Sequence, residues 1–309
     1  MNKISILTFL LISSFCFGQE VIETELSIPT NHETIKGNLI DVSSSEKTPL
    51  VIIIPGSGPT DRDGNNVQMK NNSLKYLAEG LANENISSYR YDKSVLSFGA
   101  NAKEKVDSLK FETFIEEAKS IVLHFKNTEK YSEIIVAGHS QGSLVGLISS
   151  QENVSKFISI AGPGRPLDAI LEEQIAKQAP FLLEETKRIL AELKQGKIVK
   201  EFNPMLASLF NKNVQPFLIS WLKYNPQDEI KKLAIPALII NGSKDLQVAN
   251  LDAELLHKAS GNSELYLIDS MNHILKEIKG DMTENMTSYA NPELPIIPEL
   301  IEIISAFIK

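Results

Sequence analysis

The chain has 309 residues, of which 42% are hydrophobic and 23% charged, with a formal net charge of −8. A chain this long accommodates one large catalytic core with an insertion, and its composition excludes a disordered or low-complexity protein. The acidic balance argues against nucleic acid or anionic membrane surfaces as partners, and no stretch beyond the N-terminus is apolar for long enough to span a bilayer.

Residues 1–18 follow the pattern of a secretory signal: Lys3, an apolar run from Ile4 to Leu11, then small and polar residues ending at Gly18. A buried first strand or an anchor helix fits less well, because the run is too short for a span and lacks polar alternation. A lipoprotein signal built on Cys16 is disfavoured by Phe15, which stands where a small residue is wanted. The expectation is a signal peptide at 1–18 and a secreted or periplasmic mature chain of residues 19–309. Lys3 is the only charge in the signal, so the mature chain carries −9 against −8 for the whole. Cys16 is the only cysteine, leaving the mature chain without a disulfide.

Val21 to Asp41 alternates Thr and Ile in the manner of an antiparallel hairpin at a sheet edge. Leu50 to Ile54 is a continuous β-branched run, followed by a glycine-rich loop and an amphipathic segment around Leu74, Leu77 and Leu81. Ile86 to Tyr91 is the next strand. Helical spacing runs from Phe111 to Phe125, with Phe114, Ile115, Ala118, Ile121 and Val122 on one stripe. Glu133 to Ala137 is a strand, and a helix with Leu144, Leu147 and Ile148 follows it. Lys156 to Ala161, Ala234 to Asn241 and Ser263 to Ile268 complete the buried strands, and Pro295 to Ile308 is a closing helix. From Gly162 to about Leu233 the strand pattern gives way to helix-forming, charge-rich sequence such as Leu182 to Lys194, which predicts a helical lid over about 162–233. Apolar strands alternating with helices define an α/β class, with a mostly parallel central sheet and helices on both faces.

Gly138-His139-Ser140-Gln141-Gly142 falls between a strand and a helix, the context of a nucleophile elbow. A serine hydroxyl attacks at neutral pH only if a base takes its proton, and a tight strand-to-helix turn exposes it beside the helix N-terminus. Pro55-Gly56-Ser57-Gly58-Pro59 supplies a second backbone donor, so the N–H groups of Ser57 and Gln141 form the expected oxyanion hole. No Gly-Lys-Ser/Thr follows this loop, which argues against a phosphate site, and Asp61-Arg62-Asp63-Gly64-Asn65 lacks the glycine position and terminal Glu of a calcium loop. The expectation is therefore no metal and no cofactor. Asp245 follows directly on the strand ending at Asn241, whereas Asp252 falls in a helix and Asp228 in the lid. His273 is the one histidine after the last strand. The order Ser140, Asp245, His273 is that of a catalytic triad on a doubly wound sheet. His32, His124, His139 and His257 read as structural.

These residues together resemble an exported bacterial branch of the α/β-hydrolase family. The motifs are Gly56-Ser57-Gly58-Pro59-Thr60-Asp61-Arg62-Asp63-Gly64-Asn65, Gly138 to Gly142, Ala161-Gly162-Pro163-Gly164-Arg165-Pro166, Asp245-Leu246-Gln247-Val248 and Asn272-His273-Ile274-Leu275-Lys276, spanning roughly Leu50 to Lys276. The resemblance implies an esterase and adds Arg62 and Gln247 as residues lining the site. Two departures are Pro55 where relatives often have His, and Ser94-Val95 after Asp92-Lys93 where they often have Arg-Gly. The expected activity is hydrolysis of small-molecule carboxylic esters through an acyl-enzyme. Peptidase or thioesterase action by the same triad, and an inactive hydrolase fold serving as a surface binding module, remain open, as does the oligomeric state.

Overall fold

The computed structural model describes residues 21–42, 46–97 and 108–309, so the expected signal segment lies outside the described residues. β1 (Val21–Pro29) and β2 (Thr34–Val42) form an antiparallel hairpin. Next come β3 (Leu50–Ile54), helix α1 (Ser73–Asn83), β4 (Ser87–Tyr91), α2 (Phe111–Asn127), β5 (Ile134–His139), α3 (Gln141–Ser149) and β6 (Lys156–Ile160). Five helices follow, α4 (Leu167–Gln178), α5 (Leu183–Lys194), α6 (Ala207–Phe210), α7 (Gln215–Trp221) and α8 (Pro226–Ile230). The chain then returns through β7 (Ala237–Gly242), α9 (Asn250–Ala259), β8 (Ser263–Ile268), α10 (Met282–Ser288) and α11 (Pro298–Ile308).

The strands form one eight-stranded sheet in the order β1-β2-β4-β3-β5-β6-β7-β8. All pairs from β4 to β8 are parallel, and β2 meets β4 antiparallel. β3, β4, β5 and β7 are buried at every position because both faces are covered, and β3 is apolar throughout. Period-two alternation sends Ile52, Val136, Phe157 and Ile239 into a core with α2, α3 and α9. It sends Val51, Ile53, Ile135, Ala137, Ile158 and Leu238 into a second core with α1 and α11. Burying a side chain of this size contributes about 1.5–3 kcal/mol each, so these two layers dominate the stability of the sheet.

Two strands differ most from the sequence reading, one in its start and one in its burial. β7 starts at Ala237 and not Ala234, because Pro236 has no N–H to give a ladder. β8 is an edge strand whose Tyr266 and Leu267 are exposed, so its outer face is not core. Helices α4 to α7 build a third apolar cluster of their own around Leu171, Ile189, Leu190, Leu193 and Phe210. Among the described residues no helix is long and apolar enough to cross a membrane.

Candidate active site

β5 delivers Ser140 to the carboxyl edge of the sheet, where the chain turns straight into α3. Ser140 has φ 54° and ψ −123°, a conformation costly for any residue with a side chain. Its N–H donates to the Ile160 carbonyl and its own carbonyl accepts from the Ser143 N–H, both at 2.9 Å, so the strain is held by the neighbouring strand and the first helical turn. Glycine is required on either side. A Cβ on Gly138 would stand 2.2 Å from the Gly142 carbonyl oxygen, and one on Gly142 would stand 2.4 Å from that of Ile54.

Asp245 sits three residues past β7 and is closed off from water, its side chain 1% exposed. Its Oδ1 accepts from the N–H groups of Gln247 at 2.7 Å and Val248 at 2.9 Å, and its Oδ2 meets His273 Nδ1 at 2.8 Å. A carboxylate only accepts, so Nδ1 carries the proton and Nε2 is left as the basic nitrogen. Asn272 anchors the histidine loop, accepting the Lys276 N–H and donating to Asn285 and Ser288 of α10.

Two cavities meet at Ser140. The larger, about 560 Å³, is walled by Leu167, Ile170, Leu171, Leu209, Phe217 and Trp221 from the helical segment, with Ser57 and Gln141 beside the nucleophile. The smaller, about 160 Å³, is polar and is bordered by Thr60, Asn66, Asn71, Tyr289 and His273. Ser57, Ser140 and Gln247 border both. Gln141 is the first residue of α3, so its N–H has no acceptor within the helix and is free for a ligand. Burial pushes the Tyr289 hydroxyl up to about 12, which keeps it neutral, and its oxygen accepts from Gln247 Nε2 at 3.3 Å.

Arg62 stands elsewhere. Its guanidinium and backbone N–H bind Asp92, and Nη1 binds Asn38, so it ties the loop after β3 to β2 and the end of β4 and borders neither cavity. Asp61, from the calcium-like loop, accepts the N–H groups of Asp63 and Asn65 and shapes a turn. Asp252 is fully buried and holds the backbone of Gly164 and Arg165 together with the Arg165 guanidinium, at the entry to α4. Asp269 is a surface residue bonded to Ser243.

Two residues beside the site escaped the sequence reading. His139, read only as structural, reaches across with Nε2 to the His273 carbonyl at 2.7 Å. Lys93 lies buried beneath the Gly56-Ser57 loop. The one sequence cue for Lys93 was a charge immediately past a strand end.

The sheet order, the elbow after β5 and the acid and histidine after β7 and β8 give the chain the α/β-hydrolase fold, and comparison with solved structures shows the same. Est1E from Butyrivibrio proteoclasticus superposes with a TM-score of 0.59 over 92% of this chain and 98% of its own, at 16% identity. A thermophilic esterase from Thermogutta terrifontis gives 0.53 over 92% and 97%, again at 16% identity. In sequence the chain is similar to Esterase EstD of Thermotoga maritima, 29% identical over 260 residues. That alignment covers 81% of this chain and spans about 60% of the length of the curated relative. No family model matches the chain.

Proposed function

We propose that the protein is a serine hydrolase, a carboxylesterase that cleaves esters with an apolar acyl group through an acyl-enzyme. The observation that carries this reading is the Asp245–His273 bond, opening on a cavity that His273 shares with a strained Ser140. Similarity to EstD supports it. In this mechanism His273 Nε2 takes the Ser140 proton as Oγ attacks the ester carbonyl, and the N–H groups of Ser57 and Gln141 receive the oxyanion. His273 then returns the proton to the departing alkoxide, and water repeats the cycle on the acyl-enzyme.

The leaving alcohol has to depart on the side of His273, which faces the small polar cavity. The acyl group is thereby directed into the large apolar one. That division favours ester hydrolysis with a medium or long acyl chain and a small polar alcohol over peptidase action, which would need room for chain on both sides. Residues 1–18 are proposed as the export signal, and the helical segment between β6 and β7 as the lid that sets acyl size.

A panel of p-nitrophenyl esters from acetyl to decanoyl tests the reading, together with a fluorophosphonate probe. Wild type is expected to favour the longer esters and to be labelled on Ser140, and Ser140→Ala to lose both activity and label while keeping its fold. Labelling at another serine, or undiminished hydrolysis by Ser140→Ala, overturns it.

A further inference from the structure

Lys93 is 1% exposed, follows β4 by two residues, and lies within the protein behind the loop that borders the nucleophile. A lysine ammonium taken out of water costs several kcal/mol unless bonded or paired, so a lysine held here calls for a physical reason. Its Nζ donates to the Gly56 carbonyl at 2.5 Å and to Gln141 Oε1 at 3.2 Å, with the Phe114 ring centroid 4.8 Å away. Those two partners belong to the two residues that bracket the proposed oxyanion site.

We propose that Lys93 is a positioning residue for the oxyanion donors, holding the Gly56–Ser57 peptide and Gln141 in place and setting a cation behind the oxygen that becomes negative. The proposal rests on the serine-hydrolase reading above. The Gly56 carbonyl and the Ser57 N–H belong to one planar unit and point in opposite directions. Fixing the oxygen on the Lys93 side therefore turns the N–H toward the cavity that Ser57 borders. A charged donor on the carbonyl also polarises the amide and makes its N–H a stronger donor. Lys93 borders neither cavity, so it acts through Ser57 and Gln141 and touches no substrate.

Burial pushes the Lys93 ammonium down to about 7, opposed by the nearby charge of Glu117 on α2. Glu117 is itself fully buried and raised by burial, with Ser94, Tyr91 and His32 as its other neighbours. The remaining groups packed against Nζ, the Gly56 carbonyl, the Gln141 amide and the Phe114 ring, do not titrate. Asp92, next in sequence, is committed to Arg62.

Lys93→Met tests this, because Met matches the stem without donor or charge. The expected result is a fall in kcat of about 10- to 100-fold, somewhat less than loss of a whole oxyanion donor. KM should change less than about threefold, and the melting temperature should fall while the variant stays folded, since Lys93→Met leaves Glu117 without its cation and the Gly56 carbonyl without its donor. A trifluoromethyl ketone, which mimics the oxyanion, should lose affinity by the same factor as kcat. Glu117→Gln gives a second reading that keeps Lys93: without the acid the ammonium loses its proton at lower pH, so the alkaline fall in kcat moves down. Wild type that is neither active on the esters nor labelled at Ser140 overturns the esterase reading and this proposal with it. An active, labelled wild type whose Lys93→Met variant keeps full kcat and ketone affinity, or whose Glu117→Gln variant keeps the wild-type pH profile, overturns this proposal alone.

Discussion

Asp245→Asn is the change that separates a working triad from an accidental cluster, and the hydrogen bonds around Asp245 determine how the amide will sit. Oδ1 serves two backbone donors, Gln247 and Val248, whereas Oδ2 serves His273 alone. An asparagine keeps its oxygen toward the two N–H groups, because the reverse orientation would set an NH₂ against both and strand them in a site closed to water, at about 1–3 kcal/mol each. Its NH₂ then faces His273 Nδ1 and forces the proton onto Nε2. That is the tautomer unable to accept a proton from Ser140. The same tautomer error in a serine protease costs about 10⁴ in turnover, or about 5 kcal/mol of transition-state stabilisation. The expected outcome is a kcat on p-nitrophenyl butyrate about 10⁴ lower, with an unchanged melting temperature since both backbone bonds survive. Asp269→Asn, at the surface, should leave both quantities unaltered. Asp252→Asn should lower the melting temperature with little effect on kcat, because Asp252 holds Arg165 and the entry to α4. Asp245→Asn with kcat within tenfold of wild type would refute the assignment of the acid.

The places of Ser140, Asp245 and His273, each just past its own strand, were legible in the sequence because each is a local event: a strand pattern, then a turn, then one polar residue. Chain order did the rest, since a parallel sheet brings all its carboxyl ends to one edge. Lys93 and His139 were not legible for the opposite reason. Lys93 meets Gly56 across 37 residues and His139 meets His273 across 134, and no periodicity in one segment reports what another segment packs against it. Arg62 illustrates the same gap from the other side. Its place in a motif suggested the site, but its Nε and Nη2 both donate to Asp92 Oδ2, and that pairing, set by the β2–β4 register, draws it away. The segment between β6 and β7 was legible as helices and not as a cavity wall. The residues that face Ser140 from it, Ile170, Phe217 and Trp221, are selected by how α4 and α7 pack, which no single helix pattern encodes.

Two further perturbations test the packing of the site. Gly138→Ala should lower the melting temperature sharply and yield little soluble protein, because its Cβ would strike the α3 backbone at the Gly142 carbonyl and nothing flexible is there to yield; a variant as stable as wild type would refute the close approach of β5 and α3. The other concerns His139 and pH. Its Nε2 donates to the His273 carbonyl, so a second proton can enter only at Nδ1, which faces the Gly56 loop. Burial, with a smaller effect from His273, lowers this imidazole from 6.5 to about 4. Between those values the unfolded chain binds a proton here that the folded chain refuses, so stability is fully present above about 6.5 and declines as pH falls toward about 4. The slope from this one group is at most about 1.4 kcal/mol per pH unit. His139→Phe fills the same space without titrating. Thermal melts of the two proteins between pH 7 and pH 4.5 should therefore converge as the pH drops, wild type falling more steeply. The variant should also lose turnover at every pH, since the His273 loop has lost a bond that fixes its backbone. Parallel melting curves for the two proteins would mean that folded His139 takes up its second proton as readily as the unfolded chain does, which would refute the lowered imidazole.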